Sequence, residues 1–209
     1  MIKITRLSAQ AKDQSRVNIE VDGEFVTGLS LEEVLKQRLV VGKEIAKDLI
    51  SSWKVQDERG KILGKTLNFL SYRPRTTFEV ENRLKVYSKD SNIYAYVMKY
   101  LNDNDLLNDQ SFALRWVNSR KATHSVKVLQ QELRYKGISP AIISFVLPDK
   151  SSDNEALVKL LTKKLKYNSS LLPKDRARLY RYCLGKGFSY ELIDQAFLAL
   201  GKSISMGVS

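Results

Sequence analysis

Leu129-Gln-Gln-Glu-Leu133-Arg-Tyr-Lys136-Gly137-Ile138-Ser139 and Leu179-Tyr-Arg-Tyr-Cys183-Leu-Gly-Lys186-Gly187-Phe188-Ser189 are two versions of one pattern, offset by 50 residues. Lys-Gly-apolar-Ser recurs, and the apolar spacing beyond it recurs too. Ile142, Ile143, Val146 and Leu147 match Leu192, Ile193, Ala196 and Phe197. A more divergent copy lies 49 positions upstream, with Val80, Leu84, Ile93, Tyr94, Val97 and Met98, and with Tyr87-Ser88 in place of Lys-Gly. Self-similarity at a fixed period marks a repeat architecture, in which each unit buries part of its apolar face on a neighbour.

Outward from that core, each copy has a preceding amphipathic helix. The first uses Leu63, Leu67 and Leu70, the second Phe112, Ala113, Trp116 and Val117, the third Ala156, Leu157, Leu160 and Leu161. Spacings of three and four put each set on one helical face. The breaks have local causes: Arg73-Pro74 ends a helix, Gly137 and Gly187 suit C-caps, and Ser139-Pro140 suits an N-cap with proline at N1. Ser152 with Glu155 suits a capping box after the Pro148–Ser152 linker.

Residues 1–28 read differently. Ile2, Ile4, Val17, Ile19 and Val21 alternate at period two, and Asp22-Gly23 is a hairpin turn before Glu24–Thr27. Ser30 with Glu33 opens a short helix that Gly42 should stop, followed by an amphipathic stretch from about Lys43 to Gln56. The expected fold is mainly α: three tandem three-helix repeats forming an elongated curved body, behind a small N-terminal β-hairpin/helix extension. The boundaries expected are 1–58 for the extension, 60–107, 108–149 and 153–200 for the repeats, and 201–209 for a tail.

The 209 residues hold 35 Lys+Arg against 23 Asp+Glu, a formal charge of +12. Residues 1–58 have nine basic and ten acidic residues, whereas 59–209 have 26 and 13. Lys159–Lys186 is densest, with nine basic residues and one acid, Asp175. Such a field attracts polyanions. The expected basic strip comprises Arg73, Arg75, Arg83 and Lys85 from the first copy, and Arg115, Arg120, Lys121, Lys127, Arg134 and Lys136 from the second. Lys174, Arg176, Arg178, Arg181 and Lys186 come from the third. A basic but merely solvated surface is the competing reading.

Enzymatic chemistry finds little material. His124 is the sole histidine and Cys183 the sole cysteine, which excludes zinc sites built from four cysteines or from cysteine and histidine pairs. GxGxxG and GxSxG are absent, and Gly60-Lys-Ile-Leu-Gly64-Lys-Thr66 is one residue short of a P-loop. No catalytic residue, metal or cofactor is expected. Cys183 aligns with Leu133 and Leu84, so it reads as a core thiol. His124 reads as an exposed loop histidine, and Asp103, Asp105 and Asp109 as capping and loop-solvating acids in preference to a cation cluster. Phe112 and Trp116 read as a core stripe, and Tyr72 and Tyr182 as rim packing in preference to base stacking. One cysteine suits a reducing cytoplasm; the N-terminus lacks a signal-peptide core, and no apolar run approaches the roughly 20 residues of a membrane span.

Leu67-Asn-Phe-Leu-Ser-Tyr-Arg73-Pro-Arg75-Thr-Thr-Phe-Glu79-Val-Glu-Asn-Arg-Leu84 resembles the opening signature of the RecX family. So do Leu106-Leu-Asn-Asp109-Gln-Ser-Phe112-Ala113, Gln131-Glu-Leu-Arg-Tyr-Lys-Gly-Ile-Ser139 and the closing Lys186-Gly-Phe-Ser189. The similarity covers roughly residues 60–200, and the leading piece looks like the extension of Gram-positive members. One departure is Ser125, where the family often has glycine. The resemblance implies a non-enzymatic, monomeric regulator of the RecA recombinase that lodges in the groove of the RecA–DNA filament. It also implies an inhibitory effect in recombination, DNA repair and the SOS response, with single- or double-stranded DNA met without sequence specificity and no membrane partner. Two other classes stay open. A helix-turn-helix transcription regulator would shift duplex DNA sequence-specifically, and a divalent-metal nuclease would nick plasmid with Mg²⁺ or Mn²⁺.

Overall fold

The computed structural model describes residues 2–11, 13–165 and 173–200. Lys12, the 166–172 stretch of the third repeat and the 201–209 tail lie outside the described residues. The chain divides into two compact units, one holding residues up to Pro74 with Val80–Leu106, the other Arg75–Glu79 and everything from Leu107.

In the first unit, strands β1 (Ile2–Gln10), β2 (Asp13–Val21), β3 (Glu24–Ser30) and β4 (Glu44–Ile45) form an antiparallel sheet of order β3-β2-β1-β4. Val21 pairs with Glu24 across the expected turn, where Asp22 and Gly23 both take positive φ (50° and 88°), as a two-residue primed hairpin requires. Alternation sends Ile4, Val17, Ile19, Val21 and Leu29 into one core with Val34, Leu39, Ile45 and Trp53. Helix α1 (Leu31–Lys36) is capped by Ser30, whose hydroxyl accepts from the Glu33 amide. It ends well before Gly42. That glycine, at φ +90°, instead donates its amide to the Ile4 carbonyl and turns the chain into β4, a strand the helical reading of 43–56 did not contain.

Helix α2 (Lys47–Ser71) runs unbroken through the boundary expected at 58–60. Gly60 and Gly64 each weaken a helix by about 1 kcal/mol against alanine, but the burial of Trp53, Ile62 and Thr66 and an ion cluster outweigh them. Asp57, buried, pairs with Arg16 on β2 and with Lys61 Nζ at 2.7 Å, while Arg16 also donates to the Gly28 carbonyl at 3.0 Å. The N-terminal sheet and this helix are therefore one packed body. Helices α3 (Thr77–Tyr87) and α4 (Ser91–Asp103) follow, burying Val80, Leu84, Ile93, Val97, Met98 and Leu101.

The second unit holds two three-helix clusters with separate cores. Helices α5 (Asp109–Arg120), α6 (Val126–Tyr135) and α7 (Pro140–Val146) enclose Phe112, Ala113, Val117, Leu129, Leu133, Ile138, Ile143 and Val146. Helices α8 (Ser152–Leu165), α9 (Pro173–Gly185) and α10 (Tyr190–Ala199) enclose Ala156, Leu157, Leu160, Leu161, Cys183, Phe188, Ile193, Ala196 and Phe197. Ser125, Ser139 and Ser189 cap α6, α7 and α10, with Pro140 at N1. Ser152 does not act as the expected N-cap: it is the first helical residue, and its hydroxyl donates to the Asp149 carbonyl at 2.6 Å. Cys183 is fully buried, and burial pushes its thiol up to about 11. Among the described residues no helix is long and apolar enough to cross a membrane.

Candidate functional site

The fifteen basic residues of the expected strip separate by what they touch. Arg73, Arg83, Lys85, Arg115, Lys121, Lys127, Arg134, Lys174, Arg178 and Arg181 are exposed. Arg83 is held in place without being covered: its guanidinium lies 5.5 Å from the Phe69 ring and 5.0 Å from the Tyr87 ring, and Nε donates to the Tyr87 hydroxyl at 3.0 Å. Arg73 donates to the Pro74 carbonyl at 3.0 Å, and Arg181 Nε to the Ala177 carbonyl at 3.4 Å.

Five others are half-buried. Arg75 is engaged within the chain. Arg120 pairs with Glu132 at 3.3 Å and lies 4.0 Å over Trp116. Lys136 Nζ lies 4.4 Å from the centre of the same Trp116 ring and 3.5 Å from Glu79. Arg176 sits over Tyr180 and Phe197 and reaches Asp194 at 3.4 Å. Lys186 Nζ is 3.1 Å from His124 Nε2. Flat aromatic faces and opposite charges hold these cations on the domain surface.

The exposed set concentrates on the outer faces of the middle helices. On α3 it is Arg83 and Lys85, with exposed Asn82 three residues before Lys85; on α6 it is Lys127 and Arg134, with exposed Gln131 three residues before Arg134; α9 carries Lys174, Arg178 and Arg181. Residues three apart on a helix project side by side, so each middle helix presents a polar or cationic pair suited to phosphate or carboxylate oxygens. Two exposed aromatic side chains were not among the expected site residues, Tyr135 on α6 (89% exposed) and Phe145 on α7 (72%). The signal was there for Tyr135, since Leu129 and Leu133 fix the core side of α6 and place residue 135 opposite. Arg134 also rims an open groove of about 460 Å³, floored by Val126, Pro140, Ile143, Leu147 and Pro148.

The remaining candidates find structural places. His124, expected as an exposed loop residue, is half-buried at the α6 start. Its Nδ1 lies 2.9 Å from the Thr123 hydroxyl, and burial followed by the adjacent Lys186 charge lowers its pKa below 6.5. The correction has a simple cause: the third repeat's turn, distant in sequence, covers it. Asp103 pairs with Lys99 at 2.7 Å, and Asp109 accepts the Thr77 amide at 2.8 Å. Among the described residues no three metal-ligating side chains gather. Phe112 is buried and stacks on Trp116 at 5.8 Å, whose indole N–H donates to Glu132 at 2.7 Å. Tyr72 is exposed, while Tyr182 lies between Lys164 (4.9 Å) and Lys186 (5.7 Å).

Three family models match the chain: the N-terminal domain of regulatory protein RecX over residues 2–46, the second three-helix domain of RecX over 108–147, and the third over 152–197. Regulatory protein RecX of Bacillus subtilis (strain 168) is 36% identical over 200 residues, covering 92% of this chain and 75% of that protein. Its counterpart in Clostridium beijerinckii is 25% identical, covering 93% and 94%. A crystal structure of regulatory protein RecX superposes with a TM-score of 0.68 at 24% identity, over 94% of this chain and 98% of the other. RecX from Lactobacillus salivarius superposes at 0.55 with 29% identity, over 69% of this chain and 97% of its own.

Proposed function

This chain belongs to the RecX family of regulatory proteins, and from that premise we propose that it is a non-enzymatic, monomeric, cytoplasmic regulator of the RecA recombinase. It binds along the groove of the RecA–DNA filament and inhibits recombinase activity in recombination, repair and the SOS response. Three-helix repeats over 60–107, 108–149 and 153–200 form the binding body, the C-terminal half of α2 serving as the first helix of the first.

The observation that carries this reading is the outward cationic face of the middle helices. Arg134, Arg178 and Arg181 are exposed, whereas Arg120, Lys136, Arg176 and Lys186 of the same domains are held by aromatic faces and internal polar partners. Side chains of this kind contact phosphates and acidic walls without reading bases, so binding is independent of DNA sequence and weakens steeply with salt. Co-sedimentation with RecA–single-stranded DNA filaments, read alongside RecA-dependent ATP hydrolysis, tests it. The chain is expected in the pellet with hydrolysis slowed; a chain that stays in the supernatant while shifting one duplex sequence would make it a transcription regulator instead.

A further inference from the structure

Two places in the second unit join the same repeat positions, with the same amide-to-aspartate bond in each and a second bond that differs only in its donor group. In the first, the Thr76 hydroxyl donates to the Lys136 carbonyl at 2.8 Å, and the Thr77 amide donates to Asp109 Oδ1 at 2.8 Å. In the second, the Ser125 amide donates to the Lys186 carbonyl at 3.0 Å, and the Val126 amide donates to Asp153 Oδ1 at 2.8 Å. Thr76 and Ser125 are equivalent in the repeat, as are Lys136 and Lys186. Each time the first turn of one middle helix meets the Lys-Gly turn that closes the next, and an aspartate on the next repeat's leading helix takes an otherwise orphaned amide.

The glycines have a double reason. Gly137 and Gly187 take φ of +75° and +86°, where other residues are strained. A Cβ on Gly137 would lie 2.3 Å from Phe78 Cβ, and one on Gly187 would lie 2.3 Å from Val128 Cγ2 and 2.5 Å from Ser125 Oγ. The helix end must therefore be bare for the neighbour to approach. Thr76 and Ser125 are themselves buried, so neither contact is a loose surface bond.

We propose that the Lys-Gly turn is a socket that couples consecutive repeats, and that Asp153, Lys186 and Gly187 are positioning residues fixing the third three-helix domain on the second. Lys186 then serves the protein's own architecture, with its carbonyl holding Ser125 and its ammonium donating to His124. The consequence for binding rests on the function proposed above: coupling holds Arg134 and the Arg178–Arg181 pair at one spacing, so both engage without a further ordering cost.

Labels on Ser119→Cys and Gln195→Cys, exposed positions on α5 and α10, report the coupling in the full chain by a distance distribution. The unsubstituted chain, with Cys183 buried, is the labelling blank. A single narrow distribution is expected for the parent. Asp153→Ala and Gly187→Ala should each broaden it, and together most, with helix content by circular dichroism retained. Asp153→Ala also raises the net charge by one, so pure charge attraction would tighten filament binding, whereas lost coupling should weaken it severalfold. A narrow, unmoved distribution in the folded double variant would overturn the coupling. The distance readout needs no partner, so it stands or falls separately from the RecA proposal. Should Gly187→Ala lose helix content, Asp153→Ala alone decides, because its side chain lies outside the hydrophobic core.

Discussion

Helix α9 and the turn that ends it carry the same charge with different occupations. Arg178 and Arg181 stand on the outer face of the helix, exposed. Lys186, one turn further on, is half-buried against His124 and Tyr182. The second domain shows the same division within two residues, Arg134 exposed and Lys136 folded over Phe112 and Trp116. Position within the three-helix pattern, and not charge, decides whether a cation is available to a partner. A residue on the outer face is left uncovered by the described residues, whereas the turn lies where the neighbouring helix begins.

The sharpest way to break that division is to alter the turns. Gly137→Ala forces a β-carbon into Phe78 at a left-handed backbone position, and should destabilise by about 2–4 kcal/mol, from strain plus overpacking. Gly185→Ala, at the last position of α9 with open space around it, should instead stabilise by up to about 1 kcal/mol. Urea unfolding of the two variants checks the opposite signs; equal effects would mean that the turn glycines are ordinary helix ends.

A smaller effect separates the two sockets from each other. Lys186 faces His124 in one, whereas Lys136 faces Glu79 in the other. The His124 pKa is lowered in the folded chain, by burial first and Lys186 second; the Arg120 carbonyl and the Glu132 charge favour protonation, and the Arg120 charge opposes it. The unfolded chain therefore takes up the proton first. Stability is full above about pH 6.5 and falls as pH drops below it. Melting temperature should decline between pH 7.5 and 5.5 more in the parent than in His124→Gln; an identical decline in both would remove the histidine from the account.

The repeat made much of this legible. The 50-residue offset placed Leu133 and Cys183 in equivalent core positions, and both are fully buried. Capping serines at 30 and 139 announced helix starts because that chemistry is local, and the structure adds caps at Ser125 and Ser189. What stayed illegible rests on contacts distant in sequence. The helix expected to end near Gln56 runs on to Ser71, and nothing near it in sequence reveals the Arg16–Asp57 clamp, 41 residues apart. Lys136 and Lys186 stand among the expected strip residues, and no local pattern reveals the Glu79 and His124 side chains that they meet. Their partners Thr76 and Ser125 lie about 60 residues away.

Charge reversal on the outer face has the smallest effect on stability and bears most directly on the central claim that exposed middle-helix cations meet the filament. Arg178→Glu with Arg181→Glu should leave the melting temperature nearly unchanged, since exposed charges contribute roughly 0–1 kcal/mol. In co-sedimentation with RecA–single-stranded DNA filaments the same pair should weaken binding at least tenfold and flatten its salt dependence. Lys3→Glu with Lys47→Glu, exposed within the nearly charge-balanced residues 1–58, makes the same change in net charge and should do much less. Equal losses from the two pairs, or full binding retained by the Arg178–Arg181 reversal, would contradict it.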